Sequence, residues 1–190
     1  MRVGILLFDE VEELDFVGPL EVFGIASGLV ESLVVLTVSK DGRSIQARYG
    51  LRVHPDHAFD NCPPLDLLIV PGGKGAREHI RYDKEVIAFV KAHAAKQQIA
   101  SICTGALVLA EAALLNGRRA TTHHSALSAL RQYAQVQVVE GARFVLEERV
   151  ATSAGISAGI DLALELVRNS FGDKVAADVA QIMEYNHHYT

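Results

Sequence analysis

Residues 101–105 read Ser-Ile-Cys-Thr-Gly, between an apolar run, QQIASI, and a helix-forming run, GALVLAEAALL. A reactive side chain held on a tight strand-to-helix turn needs small neighbours two positions before and after it, because the backbones crowd there. Ser101 and Gly105 meet that need, with Ser where the stricter pattern has Gly. Cys103 is therefore the candidate nucleophile. Free N–H groups and the dipole of the following helix, which opens at Thr104, would favour its thiolate. The same groups could stabilise an oxyanion, alongside N–H groups of the Gly72–Gly73 turn. A buried, inert cysteine is the competing reading. Asp15, set between Leu14 and Phe16 in ELDFVGPLEVF, is either a cap at the start of a helix or the acid–base partner of Cys103. Glu10, Glu12 and Glu13 ahead of it read as solvated.

Other motifs carry less. VPGGKGARE follows a strand, but Gly73-Lys74-Gly75 leads three residues on to Glu78 where a dinucleotide loop needs Gly. The strand after it ends at Cys103 and not at an acidic residue, so no nucleotide cofactor is expected. No GxxxxGK[ST] phosphate loop occurs. Eight histidines lack the converging spacing a zinc site requires, so no metal is expected. His123 and His124, adjacent and expected on opposite faces of a strand, remain possible pocket residues. His187 and His188 read as a solvated tail. Cys62, in the Pro-rich turn NCPPLD, reads as structural.

These residues need elements to hold them. RVGILLF (2–8), SLVVLTVS (32–39), LDLLIV and IASIC read as buried strands. Pro19, with Gly18 as cap, is expected to open a first helix. Residues 42–59 alternate and carry turn residues, as a hairpin or edge strands do. Residues 83–96 place Val86, Phe89, Val90 and Ala94 on one helical face. GRRATTHH reads as a short strand with a polar tip; QVQVVE, ARFVLEE and RVATSA read as three more short strands. GIDLALELVRNSF and DKVAADVAQIMEY read as the closing helices. Apolar strands alternating with amphipathic helices imply an α/β fold: a mostly parallel central sheet with helices on both faces. Sites in such folds lie beyond the carboxyl ends of the strands. Asp15, Gly72, Gly73, Cys103 and Thr121 to His124 are therefore expected on one rim.

The chain has 190 residues, 49% of them hydrophobic, which suits one domain over 1–190 with a sizeable core. A net charge of −5 argues against non-specific nucleic-acid binding. No run of about 18 apolar residues marks a membrane span, and the N-terminus lacks a signal-peptide cleavage site. Two cysteines are too few for a disulfide framework, so a cytoplasmic location with a free Cys103 is expected.

With these motifs in order, the chain resembles the ThiJ/PfpI superfamily, of class I glutamine amidotransferase-like proteins. LLFDEVEELDFVGPLEVF, PPLDLLIVPGGKGARE, IASICTGALVLAEAALLNGRRATTH and VATSAGISAGIDLALELV carry the resemblance over nearly the whole length. LDFVGPLEVF, ICTG and GRRATTHH are most similar to the isocyanide hydratase branch, and also to the amidotransferase-like domain of some AraC-type regulators. The resemblance implies a flavodoxin-like three-layer sandwich, a homodimer, a nucleophilic Cys103, an acidic partner at Asp15 and an oxyanion site from Gly73 and Thr104. Protease-like members carry His directly after the cysteine, where this chain has Thr104, and glyoxal-acting members carry Glu where it has Asp15. Peptidase and glyoxalase activities are therefore disfavoured. The regulators carry a DNA-binding domain after this one; here the chain ends at Thr190, so that role is not expected. The implied activity is hydration of a small-molecule isocyanide to an N-substituted formamide. The alternatives are a redox-sensing stress protein and a ligand-sensing module.

Overall fold

The computed structural model describes residues 1–186; the His187–His188 tail lies outside the described residues. Among the described residues, eleven strands and seven α-helices follow one another along the chain. The elements are β1 (Arg2–Leu6), α1 (Glu13–Leu29), β2 (Val34–Ser39), β3 (Ile45–Gln46), β4 (Arg52–Val53), β5 (His57–Ala58), β6 (Leu67–Val70), α2 (Lys74–Glu78), α3 (Lys84–Ala94), β7 (Gln98–Ser101), α4 (Gly105–Glu111), β8 (Arg119–Ala120), α5 (Leu127–Leu130), β9 (Gln137–Val138), β10 (Phe144–Leu146), β11 (Val150–Ser153), α6 (Ala158–Phe171) and α7 (Asp173–Ile182). Seven strands form one sheet in the order β10-β11-β7-β6-β1-β2-β5. All its pairings are parallel except β10 with β11. This is the flavodoxin-like sandwich: α1, α6 and α7 pack together on one side, and α2 to α5 on the other.

Burial explains why the strands read as continuous apolar runs. Val3, Ile5, Leu67, Leu68, Ile69 and Ile99 are covered on both faces by helices. The 42–59 segment resolves into an antiparallel β3–β4 hairpin and the edge strand β5. Asp83 caps α3, accepting from the N–H groups of Glu85 and Val86, and Val86 and Val90 turn inward.

One boundary differs from expectation. Helix α1 starts at Glu13, not at Pro19, which lies inside it. Contacts from outside the helix fix this start. Glu12 N–H donates to Gly72 O at 3.0 Å, and Val11 bridges Gly73. Pro19 then lies inside the helix, where it has no N–H to donate to the carbonyl of Asp15.

Beneath the corner, Ser101 is fully buried and its Oγ has no hydrogen-bond partner. An unmade hydrogen bond by a buried hydroxyl costs about 1–3 kcal/mol. Ser101→Ala removes the hydroxyl at nearly constant shape. It is expected to stabilise the fold by about 1 kcal/mol in urea titration; a loss of stability would show the hydroxyl to be satisfied.

Candidate active site

The strand-to-helix corner is built from β7 and α4. Ile102 N–H donates to Val70 O at 3.0 Å and Cys103 N–H to Ala154 O at 3.2 Å, pinning the turn between the tips of β6 and β11. Cys103 has φ +55°, a left-handed conformation that a non-glycine residue adopts only when its surroundings enforce it. Thr122 Oγ1 donates to Cys103 O at 2.7 Å and closes the other side.

Asp15 enters from the first turn of α1 and is fully buried. Its Oδ2 accepts from Gly72 N–H at 3.0 Å. Oδ1 is buried with no hydrogen-bond partner, and the Cys103 thiol is near enough to the carboxyl group to act on its ionisation. Gly72 has no room for a side chain: a Cβ there would stand 2.5 Å from Thr104 N and 2.8 Å from Asp15 Oδ2. Gly73 N–H donates to Thr104 Oγ1 at 3.0 Å, and that hydroxyl donates to Gly73 O at 3.2 Å. Gly73 therefore spends its N–H on Thr104 and has none free for a ligand in this arrangement.

Burial dominates the electrostatics. It pushes the Asp15 carboxyl up to about 7, although the Cys103 thiol and Gly72 N–H pull the other way. Cys103 is 5% exposed, and burial followed by the Asp15 charge pushes its thiol up to about 12. The N–H groups of Thr104 and Ile156 face the sulfur and favour the thiolate, but not enough. Burial and the neighbouring carboxylate thus favour the thiol, against the thiolate that the helix start favours. One proton is shared by a pair that cannot carry two negative charges.

Ile156, at φ +30°, is a contact that residue types could not announce, because it acts through its main chain. His123 packs on the adjoining turn: a Cβ on Gly155 would stand 1.8 Å from His123 Cδ2. His123 is half-buried, and burial lowers its pKa. His124 is exposed. The two histidines do not lie on opposite faces of a strand. They follow β8 at a 3-10 turn, with ring centres 4.1 Å apart. Thr121 and Thr122 are buried, Thr121 N–H donating to Thr152 Oγ1. The glutamates ahead of Asp15 are engaged. Glu10 pairs with Lys74 at 2.8 Å, Glu13 accepts from Tyr49 N–H at 2.6 Å, and burial raises half-buried Glu12. Cys62 is half-buried, away from the corner.

Among the described residues no group of three or more His, Cys, Asp or Glu is placed to hold a metal ion. No helix there is long and apolar enough to cross a membrane.

A mostly parallel sheet with a left-handed cysteine at a strand-to-helix corner, against a buried carboxyl group, has the geometry of a nucleophile elbow in an α/β fold. The chain belongs to the DJ-1/PfpI family, whose sequence profile matches residues 1–169. It is 36% identical over 190 residues to an isonitrile hydratase of Pseudomonas putida, covering 100% of this chain and 78% of that one. It is 29% identical over 186 residues to the HTH-type transcriptional regulator GbdR of Pseudomonas aeruginosa, covering 96% of this chain but only 50% of the regulator. A crystal structure of a ThiJ/PfpI family protein from Pseudomonas syringae superposes with a TM-score of 0.89 at 29% identity, over 98% of this chain and 76% of that one.

Proposed function

We propose that the protein is a cysteine-dependent small-molecule enzyme that hydrates an isocyanide to an N-substituted formamide. The observation that carries this reading is the buried pair itself: the Asp15 carboxyl beside the Cys103 thiol, each acting on the other's ionisation. Hydration of R–N≡C needs one nucleophile and one proton carrier that gives and takes at a single carbon. As Cys103 Sγ bonds to the terminal carbon, Asp15 takes the thiol proton and returns it to that carbon, giving the thioimidate R–N=CH–S–Cys. Water then adds to the same carbon; Asp15 accepts its proton and passes it to nitrogen. The C–S bond breaks in R–NH–CH(OH)–S–Cys, the hydroxyl proton returns through Asp15 to sulfur, and R–NH–CHO leaves. A covalent intermediate divides one hard step into two easier ones. Thr104 N–H, already at the sulfur, is placed to steady charge on the attached carbon's substituents. Gly73 acts one step back, holding the Thr104 hydroxyl.

The similarity to an isonitrile hydratase over the whole chain supports this reading. A redox-sensing role calls for an accessible, low-pKa thiol. Cys103 is buried, which limits an oxidant's access to it. A ligand-sensing role draws on the regulator relative, of which the chain spans half.

The test is absorbance-monitored hydration of p-nitrophenyl isocyanide. Formamide production is expected, with kcat/KM rising with pH through an ionisation near 7. Below it both members of the pair are protonated and no base remains; above it one proton is shared between them. No formamide above the buffer rate would overturn the hydratase reading. A flat profile from pH 5 to 9 would remove Asp15 as the base.

A further inference from the structure

A cavity of about 290 Å³ opens at the carboxyl ends of β1 and β2. Its floor is apolar: Leu6, Leu7, Phe8, Ile45, Ile80 and Val86, all buried. Phe59 adds a wall, stacked on Phe89 of α3 with ring centres 4.0 Å apart. None of Asp15, Gly72, Cys103 or Thr104 lines it, so it is separate from the pair given the proposed reaction. Carboxyl ends of strands are where open α/β sheets take ligands. Cavities of ~300–1,000 Å³ with mostly apolar walls and a few polar groups hold small molecules. This one, at the lower end, suits a single ring or a short chain.

The mouth sets the sign of the charge. Lys40 Nζ stands 2.8 Å from Asp83 and 2.9 Å from Glu85, so one cation faces two carboxylates. Arg43 offsets Asp41 at 3.5 Å. His79 shares Glu10 with Lys74. Asp9 accepts Gln46 N–H at 2.8 Å through Oδ1, and among the described residues no cation pairs with it. The mouth therefore carries surplus negative charge above an apolar floor. An anionic ligand meets like charge there, and an apolar cation is matched at both ends.

We propose that this cavity binds a small organic ammonium ion, its apolar body against Phe8, Ile45 and Ile80 and its charged head at Asp9. The site stands apart from the Cys103–Asp15 pair and does not depend on the hydratase reading. Isothermal titration of the full chain with 2-phenylethylammonium tests it, with 3-phenylpropionate as a similar body of opposite charge. Saturable binding of the ammonium is expected, with the carboxylate weaker by roughly tenfold or more. Asp9→Asn keeps an acceptor for Gln46 and is expected to weaken the ammonium by about fivefold. Val86→Phe, which fills the floor, is expected to abolish binding in a protein whose melting shows it folded. Absence of saturable binding to the wild type, or equal binding of the carboxylate, overturns the proposal. So does loss of binding on Asp15→Asn with none on Asp9→Asn, which would put the probe at the Cys103–Asp15 pair.

Discussion

Asp15→Asn is expected to lower isocyanide hydration by about 10²–10⁴-fold and, at the same time, to make the protein more stable at pH 8. The loss follows from the proton inventory. Asparagine can neither take the Cys103 proton nor return it, and the thiol, pushed up to about 12, has no other base at hand. The gain follows from burial. Raising a carboxyl from 3.8 to about 7 in the fold corresponds to roughly 4 kcal/mol held against its charged form. Asparagine escapes that cost and can still accept Gly72 N–H. Its own buried amide recovers only part of the difference, so a gain of about 1–3 kcal/mol is expected, several degrees in midpoint for a chain of this size. The pH dependence has a definite sign. Between about 4 and 7 the folded state holds a proton at Asp15 that the unfolded state has released, so Asp15's contribution falls as pH rises. That contribution is fully present below about 4 and lost by about 7. The variant lacks this decline, so its advantage should open across that window and level off above it. Thermal melts of both proteins from pH 4 to 8 check this. A variant less stable than wild type at pH 8, or one that keeps its turnover, would remove Asp15 from the role given to it.

The same pair shows what residue types disclose and what they do not. Cys103, Asp15, Gly72 and Thr104 were legible because each is required locally: small residues flank a corner, and a carboxyl sits among apolar neighbours. Their meeting was inferable from strand order, since buried parallel strands read as apolar runs and their tips share a rim. The state of the thiol was not legible. Neighbours in sequence gave the helix start that favours a thiolate. Burial opposes it, and so does the Asp15 charge, which comes from α1, far away along the chain. Ile156 escaped for a related reason: a main-chain N–H has no signature, and only Gly155, in SAGISAG after a strand, hints at a turn there. Helix α1 escaped at its start because Gly72 and Gly73 anchor it from another strand, whereas the local proline pointed six residues later. The histidine pair was misplaced because β8 ends at Ala120, before either histidine.

Gly105→Ala is expected to destabilise the protein by about 3 kcal/mol, although alanine is the better helix former. Gly105 is the first residue of α4, and a Cβ there would stand 2.1 Å from Val70 O and 2.9 Å from Pro71 O. Both are backbone atoms, so no side chain can swing away. Val70 O is also the acceptor for Ile102 N–H, the bond that ties the corner to β6. Making room for one methyl group must lengthen that bond or move Pro71, and Gly72, which holds Asp15, follows Pro71 directly. Hydration per folded molecule should therefore fall as well, because the carboxyl loses its orientation before the fold is lost. Gly24→Ala is the control. It lies inside α1 with nothing within 4 Å of the added atom, and is expected to gain up to about 1 kcal/mol. Urea titrations of the two variants separate the readings. Opposite signs tie the glycine at 105 to the approach of α4 to β6. A Gly105→Ala protein as stable as wild type would mean that the corner yields, and a yielding corner could not hold Cys103 at a positive φ against Asp15.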